Sequence, residues 1–156
     1  MSPRPYRLRL VREQDDSLPA AQINNAAQAA AYLKDHVFGT NPEDSWREKA
    51  FLLTLDSERN VCGVFHLSSG GFSGTDFDPY LVTLISVNAG AHSVILAHNH
   101  PSGRPTPGSG DLEMTEHCKR YLNAVTTSLM DHIILGENTF FSFSENRETK
   151  YPRSNA

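Results

Sequence analysis

Two histidines stand one residue apart at the end of an apolar run, in the stretch ILAHNHPSGRPTPGSGD that covers residues 95–111. Successive residues of a β-strand point to opposite faces, so His98 and His100 project to one side and Asn99 to the other. Two imidazoles placed in this way can bind one metal ion. Alone, a His-x-His pair is a weak signal, because a packed or solvated pair has the same spacing.

Asp111 adds a carboxylate to this pair. It follows His100 after a loop rich in proline and glycine, which allows the chain to fold back, and it lies at the expected start of a helix. Zinc held by two histidines and one carboxylate keeps a fourth position for water, and it lowers the pKa of that water toward about 7. Hydrolysis would then need a second carboxylate as general base. The residues therefore predict one catalytic zinc ion per chain.

The segments that position these residues alternate between strand and helix patterns. SVILAH is a short, nearly all-apolar strand, which is typical of a central strand covered on both faces. A helix from Asp111 carries an apolar stripe that includes Cys118, Tyr121 and Leu122. The other predicted elements are a strand at 5–13, a helix at 24–39, a hairpin at 48–68, a helix at 78–90 and a closing hairpin at 130–144. The order predicts a single α/β domain of the α+β type.

Composition limits the function classes. The chain has 156 residues, of which 38% are hydrophobic and 21% charged, so we expect one globular domain rather than a disordered chain. The net charge is -4 and no Lys/Arg cluster occurs, which argues against a nucleic-acid partner for the isolated chain. Cys62 and Cys118 form no CxxC pattern, and neither a membrane span nor a secretory signal is present, so we expect a cytoplasmic protein without a membrane partner.

The run ILAHNHPSGRPTP followed by Asp111, with DHIILGENTFFSF downstream, resembles the RadC-like branch of the JAMM (MPN/JAB) zinc metalloproteases. The resemblance covers roughly residues 45–145. It implies a single JAB/MPN-like domain with a mixed β-sheet flanked by helices, a cytidine-deaminase-like architecture. The core would span about 20–145, with a polar and frayed tail at 146–156. It also implies zinc bound by His98, His100 and Asp111.

The resemblance assigns two further roles. The family's glutamate lies eight residues before an aspartate, and EKAFLLTLD places Glu48 there, as the general base. The family has a serine, thought to stabilise the oxyanion, at the position that is Gly108 in this chain. The neighbouring Ser109 takes that role if the loop is shifted by one residue.

The expected function is zinc-dependent hydrolysis of an amide or isopeptide bond, with a peptide or a ubiquitin-like protein as substrate. Two alternatives stay open: a DNA-repair or DNA-processing accessory module, and a zinc-retaining pseudoenzyme that binds a partner. Asp131 and His132 are expected to make structural hydrogen bonds rather than to bind metal. The oligomeric state is not indicated by the sequence.

Overall fold

A computed structural model of the chain describes residues 18–39, 47–70 and 77–152. Its centre is a six-stranded mixed sheet with the strand order β2-β1-β3-β4-β5-β6. The strands are β1 (Lys49–Leu55), β2 (Val61–Ser69), β3 (Ser93–Asn99), β4 (Ser128–Leu135), β5 (Thr139–Ser142) and β6 (Arg147–Lys150). The pair β3–β4 is parallel and the other pairs are antiparallel. The strand predicted at 5–13 lies outside the described residues.

Strand β3 lies in the interior of the sheet, as its apolar sequence predicts. It pairs with β1 on one side and with β4 on the other, and its residues from Ser93 to His98 are all buried. Ile95 and Ala97 face one layer of the core, whereas Val94 and Leu96 face the other. The histidine pair is therefore attached to one of the best-protected segments of the fold.

The first face of the sheet is covered by α1 (Ala26–Tyr32) and by a π-helical segment, Leu33–Phe38, that continues it. Helix α1 begins at Asn25, whose side chain accepts the N–H of Gln28 at 2.9 Å. The fully buried Ala29 and Ala30 bring the helix close to the sheet because they add little bulk.

The second face is covered by α2 (Pro79–Asn88) and α3 (Ser109–Ala124). Asp78 caps α2 by accepting the N–H of Tyr80, with Pro79 as the first helical residue, as predicted. No helix in the three described ranges is long and apolar enough to cross a membrane.

Helix α3 differs from its prediction in the composition of its buried stripe. Thr115, Cys118 and Leu122 are buried, whereas Tyr121 is 50% exposed. At 3.6 residues per turn, position 121 lies about a quarter turn from the centre of that stripe. The polar Thr115 is buried in its place.

The chain end also differs from expectation. Residues 147–150, within the tail expected to be frayed, form β6 and pair with β5. Backbone hydrogen bonds to β5 order this polar strand, so it needs no apolar pattern of its own.

Candidate metal centre

The predicted site forms where the end of β3, the start of α3 and the residue before β1 meet. His98 is the penultimate residue of β3 and is only 2% exposed, while His100 follows the strand directly. The Nε2 atoms of the two rings are 3.0 Å apart. Both side chains therefore point to the same space, as the strand geometry predicts.

Asp111 is the third residue of α3 and faces both rings. Its Oδ1 lies 3.1 Å from His98 Nε2, and its Oδ2 lies 3.6 Å from His100 Nε2. Ligand atoms of a tetrahedral zinc ion, at about 2.0–2.1 Å from the metal, are about 3.3 Å from one another. The separation of the two Nε2 atoms and those from each ring to an Asp111 oxygen, Oδ1 for His98 and Oδ2 for His100, are within about 0.3 Å of this value. The N–H of Gly108 donates to Oδ2 at 2.7 Å and helps to hold the carboxylate.

Glu48 approaches the same space from the start of β1. The antiparallel register pairs Ala50 with His98, which brings the residue before β1 toward the end of β3. Glu48 Oε1 is 4.0 Å from His98 Nε2, and its side chain is 13% exposed. One donor atom from each of Glu48, His98 and His100 lies within 4.8 Å of the others, so this trio can also hold a metal ion. Asp111 is closer to His98 Nε2 than Glu48 is.

Asn99 holds the backbone on both sides of Glu48. Its side-chain oxygen accepts the N–H of Lys49 at 2.8 Å, and its amide nitrogen donates to the carbonyl of Arg47 at 3.0 Å. The carbonyl of Glu48 itself accepts the N–H of Gly70. The residue between the two histidines thus faces away from them and positions the nearby carboxylate.

The loop after β3 fixes the orientation of His100. Nδ1 of His100 lies 2.9 Å from the carbonyl oxygen of Arg104, an atom that only accepts hydrogen bonds, so Nδ1 is protonated. In the neutral ring, Nε2 then directs a lone pair toward His98 and Asp111. The lone pair on His100 Nε2 and the nearby carboxylate of Asp111 together attract a cation.

The turn between β4 and β5 supports that loop. The N–H groups of His100 and Glu137 donate to Leu135 and Gly103, which joins the two segments. A Cβ atom at Gly136 would lie 2.6 Å from the carbonyl oxygen of Gly103 and 2.7 Å from Pro105 Cδ. Glycine is required at position 136 because the loop between the histidines and Asp111 packs directly on it.

Charge at the site is carried by the pair His100 and Asp111. Burial alone would raise the pKa of Asp111, but the neighbouring His100 and His98 rings and the hydrogen bond from Gly108 lower it well below its usual range. The hydrogen bond with Asp111 raises the pKa of His100 above its ordinary value, against the effect of burial. A proton and a metal ion therefore compete for the lone pair on Nε2 of His100.

A family model described as the RadC-like JAB domain matches residues 23–149. This chain belongs to the RadC-like JAB domain family. The expected fold, a single domain with a mixed sheet flanked by helices, is confirmed.

Three similar relatives are each named a UPF0758 protein. The one from Carboxydothermus hydrogenoformans is 37% identical over 101 residues, which are 65% of this chain and 45% of the relative. The one from Aquifex aeolicus is 32% identical over 79% of this chain and 51% of its own length. The one from Chlorobaculum parvum is 29% identical over 81% and 56%, respectively. This RadC-like JAB domain chain spans about half the length of the curated relatives it matches.

Gly108 and Ser109 lie at the rim of the candidate metal centre. Gly108 is the exposed N-cap of α3, and Ser109 is the exposed first residue of that helix. Gly108 has φ -87° and ψ 172°, an extended conformation open to any residue. A Cβ atom there would lie 3.5 Å from Asp111 Oδ2, an ordinary contact distance. A serine at position 108 is therefore sterically compatible with this RadC-like JAB domain.

The sequence did not predict that His132 contacts His98, one of the expected metal ligands. His132 is 1% exposed, and its Nε2 lies 2.8 Å from Nδ1 of His98. Burial lowers the pKa of His132 well below its ordinary value, so the ring is neutral. The contact arises from the parallel pairing of β3 and β4, which sets His132 beside Leu96 and thus two residue pairs from His98, on the same face of the sheet. That pairing is not readable from the sequence of β4 alone.

Asp131 makes the structural hydrogen bonds expected of it. Its carboxylate accepts the N–H of His132, the hydroxyl of Ser142 and the N–H of Ser144, at 2.7, 2.6 and 2.9 Å. These contacts tie β4 to the end of β5 and to the residues that follow it. Asp131 thereby fixes the backbone that carries His132.

Proposed function

We propose that this chain is a zinc-dependent hydrolase that cleaves an amide or isopeptide bond. The observation that supports the proposal is the convergence of His98 Nε2, His100 Nε2 and the Asp111 carboxylate, with separations of 3.0, 3.1 and 3.6 Å. Membership of the RadC-like JAB domain family supports it independently.

The donor chemistry fits zinc. Two imidazole nitrogen atoms and one carboxylate form an N/N/O set that zinc binds in catalytic sites. His98, His100 and Asp111 would hold the ion. When bound, zinc would lower the pKa of a water molecule and polarise the substrate carbonyl. The N–H of Gly108 and the carbonyl of Arg104 orient Asp111 and His100 for this role.

Glu48 is proposed as the general base. Its carboxylate lies farther from His98 Nε2 than that of Asp111, yet faces the same space. It would accept a proton from the attacking water and deliver it to the leaving amine, so that water and amide yield a carboxylic acid and an amine. Asn99 would keep it in place by holding the backbone on both sides.

The substrate class is inferred from the resemblance to JAMM metalloproteases. We propose a peptide or the tail of a ubiquitin-like protein as substrate. The net charge of -4 supports neither a duplex DNA substrate nor a duplex DNA partner.

Position 108 supports a second candidate function, a zinc-retaining pseudoenzyme that binds a partner. Gly108 has no hydroxyl at the position where the JAMM signature has a serine. Loss of one oxyanion donor costs on the order of 10²- to 10³-fold in rate, enough to leave a binding domain with residual activity.

Hydrolysis of peptide and isopeptide substrates by the zinc-reconstituted protein tests both candidates. We expect cleavage by the wild type and by Glu113→Gln, a matched change of an exposed acid on α3, and no cleavage by Glu48→Gln with zinc retained. Zinc binding with no hydrolysis in any form would favour the pseudoenzyme. Equal cleavage by Glu48→Gln and wild type would contradict the role of Glu48.

A further inference from the structure

A buried hydrogen-bonded chain connects the backbone of α3 to the ring of His98. The hydroxyl of Thr115 lies 2.6 Å from the carbonyl oxygen of Asp111 and 2.6 Å from Nδ1 of His132. Nε2 of His132 lies 2.8 Å from Nδ1 of His98. Thr115, His132 and His98 are each at most 2% exposed, so water does not compete for these contacts.

Counting protons gives this chain a direction. Each of the three short contacts requires one proton. The Thr115 hydroxyl and the neutral His132 ring carry one each, so the third belongs to His98. The carbonyl of Asp111 can only accept, so the Thr115 hydroxyl donates to it. Thr115 then accepts from Nδ1–H of His132, and Nε2 of His132 accepts from Nδ1–H of His98. In the opposite direction the 2.6 Å contact between Thr115 and Asp111 would contain two oxygen atoms and no proton.

We propose that Thr115 and His132 are positioning residues that fix His98 in the tautomer with a proton on Nδ1. In the neutral ring, Nε2 of His98 then carries the lone pair that faces Asp111 and His100. The inference rests on the proposed metal site. In the other tautomer, a proton on Nε2 would occupy the position that the metal needs.

Two further contacts restrain His132. Its ring stacks on Phe143 with centroids 4.6 Å apart and planes inclined by 9°. Its backbone N–H donates to Asp131. The ring cannot rotate without losing the stack and both ring hydrogen bonds, so the tautomer of His98 is set by a rigid group.

The chain also connects two of the proposed ligands. It starts at the carbonyl of Asp111, whose carboxylate faces the site, and ends at His98. A displacement of the first turn of α3 would therefore change both the carboxylate position and the state of the ring.

The tautomer can be read directly in the wild-type protein. Long-range ¹H–¹⁵N NMR of histidine-labelled, metal-free protein at mildly alkaline pH, where imidazoles are neutral, distinguishes protonated from unprotonated ring nitrogen atoms. We expect His98 and His132 each to be protonated at Nδ1. A proton on Nε2 of His98 would overturn the inference, and this readout requires neither zinc nor turnover.

Two variants test the role in metal binding. Thr115→Val keeps the shape of the side chain without the hydroxyl, and Thr115→Ser keeps the hydroxyl. We expect Thr115→Val to bind Zn²⁺ about 10- to 100-fold more weakly, in competition with a chromophoric chelator, and to show both His98 tautomers. Thr115→Ser should remain close to wild type.

Stability is measured separately, from thermal unfolding of each metal-free variant. Unchanged zinc affinity and tautomer in Thr115→Val would contradict the inference, as would equal losses in both variants. If Thr115→Val does not fold, the wild-type tautomer decides. A protein that binds zinc with the expected tautomer but hydrolyses nothing would contradict only the proposed function.

Discussion

The side chain of Asn99 accepts the backbone N–H of Lys49 at 2.8 Å, which joins the residue between the two histidines to the residue after Glu48. Because Asn99 points away from His98 and His100, a change there should leave the histidines undisturbed. The His-x-His segment therefore carries the proposed metal ligands on one face and supports the proposed base from the other.

Asn99→Ala should reduce the rate of amide hydrolysis by about 10- to 100-fold, because small displacements of a catalytic group are costly. Zinc content should not change. Steady-state kinetics and metal analysis of the same preparation measure the two effects. Asn99→Asp is the informative control, since it keeps the acceptor for Lys49 and loses the donor to Arg47. Wild-type activity in Asn99→Ala would show that Glu48 needs no such support or is not the base.

The ligand assignment predicts different metal contents for different variants. His98→Ala and Asp111→Ala should lose most of the zinc, whereas Glu48→Gln should keep about one ion per chain, because Glu48 is the more distant carboxylate. Metal analysis after dialysis against a weak chelator distinguishes them. If Glu48→Gln lost zinc and Asp111→Ala retained it, Glu48, His98 and His100 would be the ligands instead.

The effect of zinc on stability should increase with pH. The pKa of His100 is raised by Asp111 in the folded metal-free protein, so the stabilisation from this pair is fully present below about pH 6.5 and is lost as pH rises through the folded pKa. Zinc needs the unprotonated ring, so its contribution rises over the same range. Thermal unfolding with and without zinc across this range should show a growing difference in Tm. A difference independent of pH in the wild type would contradict this linkage.

Replacing Gly108 should reveal whether the JAMM register is kept. Gly108→Ser should raise the rate of amide hydrolysis by roughly 10-fold or more, through a hydroxyl near the developing oxyanion, with unchanged zinc content. Ser109→Ala should then have little effect. If instead Ser109 already supplies the hydroxyl, Ser109→Ala would cost about 10²-fold and Gly108→Ser would gain nothing.

Duplex DNA should bind this chain no better than it binds any acidic protein at physiological salt. The reason is the net charge of -4 without a Lys/Arg cluster. Fluorescence anisotropy over a salt series is the measurement. Submicromolar affinity with a steep salt dependence would favour a DNA-processing accessory role over the hydrolase.

The sequence predicted best the features determined by local chemistry. The N-caps Asn25 and Asp78 and the position of Gly90 after α2 mark helix ends, and the apolar run before His98 marks an interior strand. The His-x-His spacing predicted that both histidine side chains point to the same face, because the side chains of a strand alternate between the two faces of the sheet. Their convergence with Asp111 in the structure follows from the loop between them.

The sequence did not predict the features that depend on pairing between strands distant in the chain. Glu48 was assigned only through the family resemblance, since its approach to His98 depends on the register of β1 against β3. The contact between His132 and His98 depends on the parallel register of β4. Strand β6 carries no alternating pattern, because the backbone of β5 orders it.

The parallel pair β3–β4, joined through α3, has a consequence for local opening of the fold. His98, His100, Asp111, Thr115 and His132 all come from this one strand–helix–strand unit, residues 93–135. A bound ion would therefore stabilise this single cooperative unit against local opening, and it would not link distant parts of the chain. Amide hydrogen exchange would slow in β3, the first turn of α3 and β4, while α1 and the β5–β6 ribbon would open at their metal-free rates.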